Sequence, residues 1–225
     1  MEHRNLGHSG LQVSLVGLGC NNFGGRLDLE ATQAVVHKAL DAGITLYDTA
    51  DVYGDRGGSE VQLGKILGES RKDIVLATKF GMRMDDDGAK KGASRRYIMA
   101  AVEDSLKRLQ TDWIDLYQVH WPNPDIPIGE TMSAMEDLVD SGKIRHIGVS
   151  NFSVDQLKEA QNVLTKNIIV SNQVQYSLVK RRIETDLLPY CQKNGVTIIA
   201  YSPLGIGLPN ILSEDSNHVI AKISE

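Results

Sequence analysis

TLYDTADVYG, residues 45–54, is a short β-prone run that ends in a carboxylate, Asp48, and is followed within a few residues by a phenol, Tyr53. An apolar segment that turns abruptly polar at its end recurs along the chain. The other strand candidates are residues 15–19, 74–80, 114–120, 144–150, 169–174 and 196–201, several of them near-continuously apolar, as strands covered on both faces are. Seven strands are therefore expected, at a spacing of roughly 25–35 residues.

The intervening stretches read as helices. Ala34, Val35, Ala39 and Leu40 recur at helical spacing, as do Ile98, Val102, Leu106 and Leu109. Ser94 and Ser153 are expected as N-caps, and Gly43, Gly142 and Gly195 sit where helices close before strands. A polar hairpin is expected around residues 7–10, and residues 82–91 form one longer, charged excursion.

Strands alternating with helices predict a parallel sheet, either open and doubly wound or closed as a barrel. The polar strand ends favour the barrel, whose chemistry gathers at the C-terminal rim: Asp48, Lys79, His120, Asn151, Gln173 and Tyr201 each end a candidate strand. An open sheet would concentrate such groups at one crevice.

At 225 residues, one domain spanning 1–225 is expected. With 41% apolar and 24% charged residues, the composition is that of a globular chain, not a disordered one. A net charge of −5 argues against nucleic acid or an anionic membrane as partner and favours a small molecule. With no long apolar span or leader, a cytoplasmic location is expected. Cys20 and Cys191 are read as reduced thiols, and no spacing of histidines, cysteines or carboxylates suggests a metal. Gly17-Leu18-Gly19 is half of a dinucleotide fingerprint, but Asn22 stands where its third glycine would be.

Read as chemistry, Asp48 would keep Lys79 charged, and the ammonium would lower the pKa of Tyr53, making it a usable general acid. His120 would hold a carbonyl oxygen beside the Tyr53 hydroxyl, and the hydride would come from a cofactor, since no side chain donates one. Taken singly, each residue has a plainer reading as a cap, a solvated charge or packing. Four together, at three successive strand ends and one adjacent loop, point to a site.

The segments DTADVYG (48–54), the strand ending at Lys79, QVHWP (118–122), GVSNF (148–152), NQVQYS (172–177) and AYSPLG (200–205) resemble the aldo-keto reductases. The resemblance runs from about Arg4 to the last residues. It implies a parallel (β/α)8 TIM-type barrel that reduces aldehydes or ketones with NADPH, NADH being possible. Asp48, Tyr53, Lys79 and His120 would be catalytic, and Tyr53 and His120 would contact substrate. Gly19, Cys20, Asp48, Ser150, Asn151, Gln173, Tyr201, Ser202 and Leu204 would contact the cofactor, with Tyr201 stacked on the nicotinamide ring and Ser202 and Leu204 bordering the pyrophosphate.

Against the family pattern the barrel is expected to be incomplete, with about seven strands present and the last βα portion missing. The final residues, 217–225, resemble the start of the seventh barrel helix. Without an eighth strand and the basic segment that holds the adenosine phosphate, unpaired edges, association, weak NADPH binding and slow or no turnover, as in a truncated inactive derivative, are expected. Oligomeric state, substrate and nucleotide preference are open at this stage. Two rival readings remain: a non-catalytic cofactor-binding or regulatory barrel, and a Schiff-base aldolase using Lys79, which the Asp48 partner disfavours.

Overall fold

The computed structural model describes residues 1–205. The expected helix at 217–225 lies outside them. A hairpin of β1 (His3–Asn5) and β2 (Gln12–Ser14) opens the chain, antiparallel and tightened by the Leu6 N–H to Leu11 carbonyl bond. Then come β3 (Leu18–Gly19), α1 (Leu29–Asp41), β4 (Leu46–Asp48), α2 (Tyr53–Leu67), β5 (Val75–Phe80) and α3 (Arg95–Leu109). The second half holds β6 (Ile114–Val119), α4 (Ile128–Asp140), β7 (Ile144–Ser150), α5 (Val154–Val163), β8 (Ile169–Gln175), α6 (Leu187–Asn194) and β9 (Thr197–Tyr201). Strands β3 to β9 pair in sequence order, all parallel, in one sheet that curves into a nearly closed barrel. Among the described residues, β3 and β9 are its edges, and no helix is long and apolar enough to cross a membrane.

Two apolar clusters hold this arrangement. The larger lies between the sheet and its helices, where Ile98, Val102, Leu106 and Leu109 of α3 face inward as their spacing predicts. The smaller fills the barrel floor: Leu6 and Val13 of the hairpin pack on Leu46, Val75, Ala77, Leu116 and Val170, so the hairpin plugs the N-terminal end of the strands. Ser94 and Ser153 cap α3 and α5, the latter in a reciprocal capping box with Gln156.

Two expectations need correction. The buried face of α1 is Thr32, Val36 and Ala39, while Ala34 and Val35 point to solvent. The first barrel strand is only Leu18–Gly19, and Leu15 and Val16 are more than half exposed. The cause is Ser14, whose hydroxyl donates to the Val16 carbonyl (2.7 Å) and accepts from the Thr45 N–H (2.9 Å). A side chain thus occupies groups a longer ladder would use.

The connection before β8 depends on one carboxylate. Glu136 on α4 accepts the backbone N–H groups of Thr165, Lys166 and Asn167 at 2.9, 2.8 and 3.1 Å, and the Thr165 hydroxyl at 3.0 Å. Partial burial pushes its pKa up, but these donors outweigh it and hold it at about 2. Because the folded value lies below the ordinary ~4.3, the contribution is present above pH ~4.3 and lost as pH falls through about 2. Glu136→Gln should therefore lower the urea midpoint at pH 7, and the gap to the parent chain should close on acidification. A gap independent of pH would contradict the ionised role.

Candidate active site

The C-terminal ends of the strands deliver the polar groups to one rim. Asp48 is the last residue of β4, and the backbone beyond it continues along β5: Thr49 N–H donates to the Ala77 carbonyl (2.9 Å) and Asp51 N–H to the Lys79 carbonyl (3.0 Å). This zippering places Tyr53 over the barrel mouth. The turn after Tyr53 is left-handed, with φ of +68° at Gly54, +58° at Asp55, +64° at Arg56 and +118° at Gly57. Such a conformation is unfavourable for Asp55 and Arg56, and strain of this kind clusters at functional sites. Gly54 is required there, since a Cβ would lie 2.3 Å from the Phe23 carbonyl oxygen.

Lys79, fully buried on β5, donates to Asp48 Oδ2 at 2.6 Å and to the Thr49 carbonyl at 2.8 Å. Its nitrogen lies 5.0 Å from the centre of the Tyr53 ring. The Tyr53 and His120 rings meet edge to face, 5.7 Å apart at 83°. All four groups therefore share the mouth, despite coming from three strand ends and a loop.

Their electrostatics differ in one respect from the sequence reading. Burial raises the Tyr53 pKa above 10; Lys79 opposes this but does not reverse it, and Asp48 adds to the rise. Proximity to a cation was legible, but the extent of desolvation was not. The phenol is therefore protonated at neutral pH. Burial lowers the Lys79 pKa on its own, yet Asp48 and Tyr53 outweigh it and keep the ammonium above its usual value. Burial, then the Lys79 charge, bring His120 down to about 4, so its imidazole is neutral at pH 7.

Asp48 is held from several strands. Besides Lys79, its Oδ1 accepts Gln173 Nε2 of β8 at 2.8 Å and Gln118 Nε2 of β6 at 3.1 Å. Gln118 was missed in the sequence, although a signal existed: it is an amide inside an apolar strand, two residues before His120 and thus on the same face. Gly148 makes room for it, since a Cβ there would sit 2.9 Å from Gln118 Cγ.

A cavity of about 930 Å³ opens beside these groups, along the seam between β3 and β9. Gly19, Cys20, Asp48, Tyr53 and His120 line it, with Ser150, Asn151, Gln173, Tyr201 and Ser202. Asn151, at φ +64°, donates to the His120 carbonyl (3.1 Å) and Ser150 Oγ (3.0 Å) and accepts the Tyr201 hydroxyl (3.1 Å). Two residues stand apart. Leu204 is 63% exposed and does not line the cavity, and Lys79 reaches the site from beneath Asp48. Trp121, next to His120, also lines the cavity. Among the described residues no group of three or more histidine, cysteine or carboxylate side chains is gathered as metal ligands would be, and both cysteines are free and buried.

A parallel barrel with this rim defines a class, and the comparison with known proteins agrees: residues 15–222 match the aldo/keto reductase family model. The chain belongs to the aldo/keto reductase family. It is 42% identical over 214 residues to the aldo-keto reductase YhdN of Bacillus subtilis (strain 168), covering 92% of this chain and 63% of that protein. To the uncharacterized oxidoreductase YqkF of the same organism it is 40% identical over 210 residues, covering 92% and 66%. The chain thus spans just under two thirds of the length of these relatives. Among solved structures, the thermostable aldo-keto reductase Tm1743 in complex with the inhibitor epalrestat superposes with a TM-score of 0.86 at 38% identity, covering 100% of this chain and 80% of that one. The holo form of aldo-keto reductase AKR11C1 from Bacillus halodurans gives 0.83 at 41% identity, covering 92% and 68%.

Proposed function

We infer that this chain reduces a small aldehyde or ketone to the alcohol, with a nicotinamide dinucleotide, NADPH or NADH, as reductant and Tyr53 as the proton donor. The observation that carries this reading is the buried Lys79–Asp48 pair set against the Tyr53 ring, with neutral His120 at its edge. The cavity suits such a cofactor: it places an aromatic side chain, Tyr201, next to the amides Asn151 and Gln173 and the hydroxyls Ser150 and Ser202, a lining fit for a flat ring bearing a carboxamide. When bound, the dinucleotide supplies a hydride to the carbonyl carbon. Neutral His120 has one N–H to orient the carbonyl oxygen. As the C=O π bond breaks, that oxygen takes the Tyr53 proton, and the Lys79 ammonium stabilises the phenolate left behind. Asp48, held by two amides, keeps Lys79 in place.

The test is to mix the chain with NADPH, and separately NADH, and 4-nitrobenzaldehyde, and to follow the nicotinamide absorbance. Loss that requires the aldehyde supports the reading. Dinucleotide binding seen by fluorescence with no such loss would instead favour a non-catalytic cofactor-binding barrel. An aldolase is disfavoured because Lys79 is paired and charged, so it is a poor amine nucleophile; borohydride trapping with a carbonyl compound should give no adduct.

A further inference from the structure

Behind the turn that carries Tyr53, between β5, α2 and α3, lies a buried polar group that the proposed reduction does not use. Asp51 and Glu60 are 1% and 0% exposed, and Thr78 and Tyr117 are buried with them. Both oxygens of Glu60 are engaged: Arg108 Nε pairs with Oε2 at 2.7 Å, and the Thr78 hydroxyl donates to Oε1 at 2.5 Å. Among the described residues Asp51 has no cation of its own. Its Oδ2 receives the Tyr97 hydroxyl at 3.4 Å, the Val52 N–H lends the carboxyl weak support, and its Oδ1 is buried with no partner among the described residues.

Two carboxylates and one guanidinium in a closed space leave one negative charge without compensation. An isolated ionised carboxylate in such surroundings relieves the cost by taking up a proton. Glu60, paired and fully hydrogen-bonded, is the better place for the charge. Asp51 is then the group that keeps its proton. The charged and titratable groups around it are Glu60 from α2, Tyr97 and Arg108 from α3, and Tyr117 from β6; exposed Asp104 of α3 acts on Tyr97, and the Lys79 ammonium on β5 is turned to Asp48. Burial first, and then the Glu60 charge, raise Asp51 to about 7 against the pull of Arg108.

Asp51 belongs to the same turn as Tyr53. Its N–H holds the Lys79 carbonyl at 3.0 Å, and the Tyr53 N–H closes the turn on the Ala50 carbonyl at 3.1 Å. We propose that Asp51 stays a neutral carboxylic acid in the folded chain on the acid side of neutrality and is a positioning residue for Tyr53, whose turn loosens when Asp51 ionises. The positioning half rests on the reading of Tyr53 as the acid, but its test needs no turnover, so the two can fail separately.

The sign follows from linkage. The folded-state pKa lies above the ordinary ~3.9 of Asp, so the stabilising contribution is fully present below pH ~3.9 and is lost as pH rises through about 7. The first measurement uses the unsubstituted chain labelled with 13C at aspartate carboxyls, with Asp51 assigned through its own backbone, and titrated from acid to pH 9. A carboxyl shift with its midpoint near 7 is expected, and a midpoint below 5 overturns the neutral acid. The second is amide hydrogen exchange at Tyr53, normalised to the amides of β6. From pH 6 to 8 the normalised rate should rise by about tenfold, because the ionised fraction of a group with its midpoint near 7 goes from about a tenth to about nine tenths over that range. A flat ratio overturns the positioning role. Asp51→Asn, an isostere of the neutral acid, should flatten that ratio if it folds; a persistent rise in it would also count against the proposal.

Discussion

Replacing Tyr53 by phenylalanine is expected to slow aldehyde reduction by about 10²–10⁴-fold, the usual contribution of a positioned general acid. The substitution leaves the ring and removes only the hydroxyl. The edge-to-face contact with His120 and the approach of Lys79 to the ring survive, so the mouth keeps its shape. Neither titratable neighbour, Lys79 or His120, is placed to take over the proton. Lys79 is bound to Asp48 and Thr49 and holds its proton more firmly than an ordinary lysine. His120, brought down to about 4, has no acidic proton at neutral pH. Single-turnover absorbance with NADPH and 4-nitrobenzaldehyde measures the effect. A loss smaller than about tenfold would remove Tyr53 from the role of acid, whatever its position.

The second large effect concerns stability, at the opposite end of the strands. Asp115, second residue of β6, is buried and receives four donors: Arg71 Nη1 (2.8 Å), Arg145 Nη1 (3.1 Å), the Leu76 N–H (3.0 Å) and Trp113 Nε1 (3.1 Å). The two guanidinium groups also lie against the Trp113 ring, at 4.6 and 4.9 Å from its centre. Asp115→Ala would leave buried Arg71 without its counter-charge and the Leu76 N–H without an acceptor. Breaking one side of a buried pair costs about 3–5 kcal/mol, and a drop of that size in denaturant-derived stability is expected. Asp115→Asn, which retains acceptors but not charge, should lie between the two. Equal stability of all three chains would mean that the cluster is solvated enough to be dispensable.

The legible parts of this molecule are those carried by local pattern. β-prone runs such as Val75–Phe80 and Ile144–Ser150 marked strands within a residue or two, and serine caps at Ser94 and Ser153 marked helix starts. The catalytic candidates were legible because a barrel converts the polar ends of strands into neighbours. What escaped was anything decided by depth or by partners distant in sequence. Leu15 and Val16 looked like strand and are exposed, because a serine hydroxyl claims the ladder. Tyr53 was expected to be acidified by Lys79, yet burial outweighs that cation. The groups around Asp115 come from four separate segments, and Asp51, Glu60 and Arg108 from three. Neither set has a spacing that would announce it.

The Asp48 carboxylate, gripped at once from β5, β6 and β8, has a consequence for how such a site can change over generations. Lys79, Gln118 and Gln173 are not three independent inventions, because each keeps its value only while the others hold their common acceptor in place. Substitutions at these positions should therefore be strongly epistatic, with pairs departing from the sum of their singles as contacting residues do. Lineages drifting in substrate preference would find their freedom in the surrounding loops, while these strand positions would have to change together or not at all.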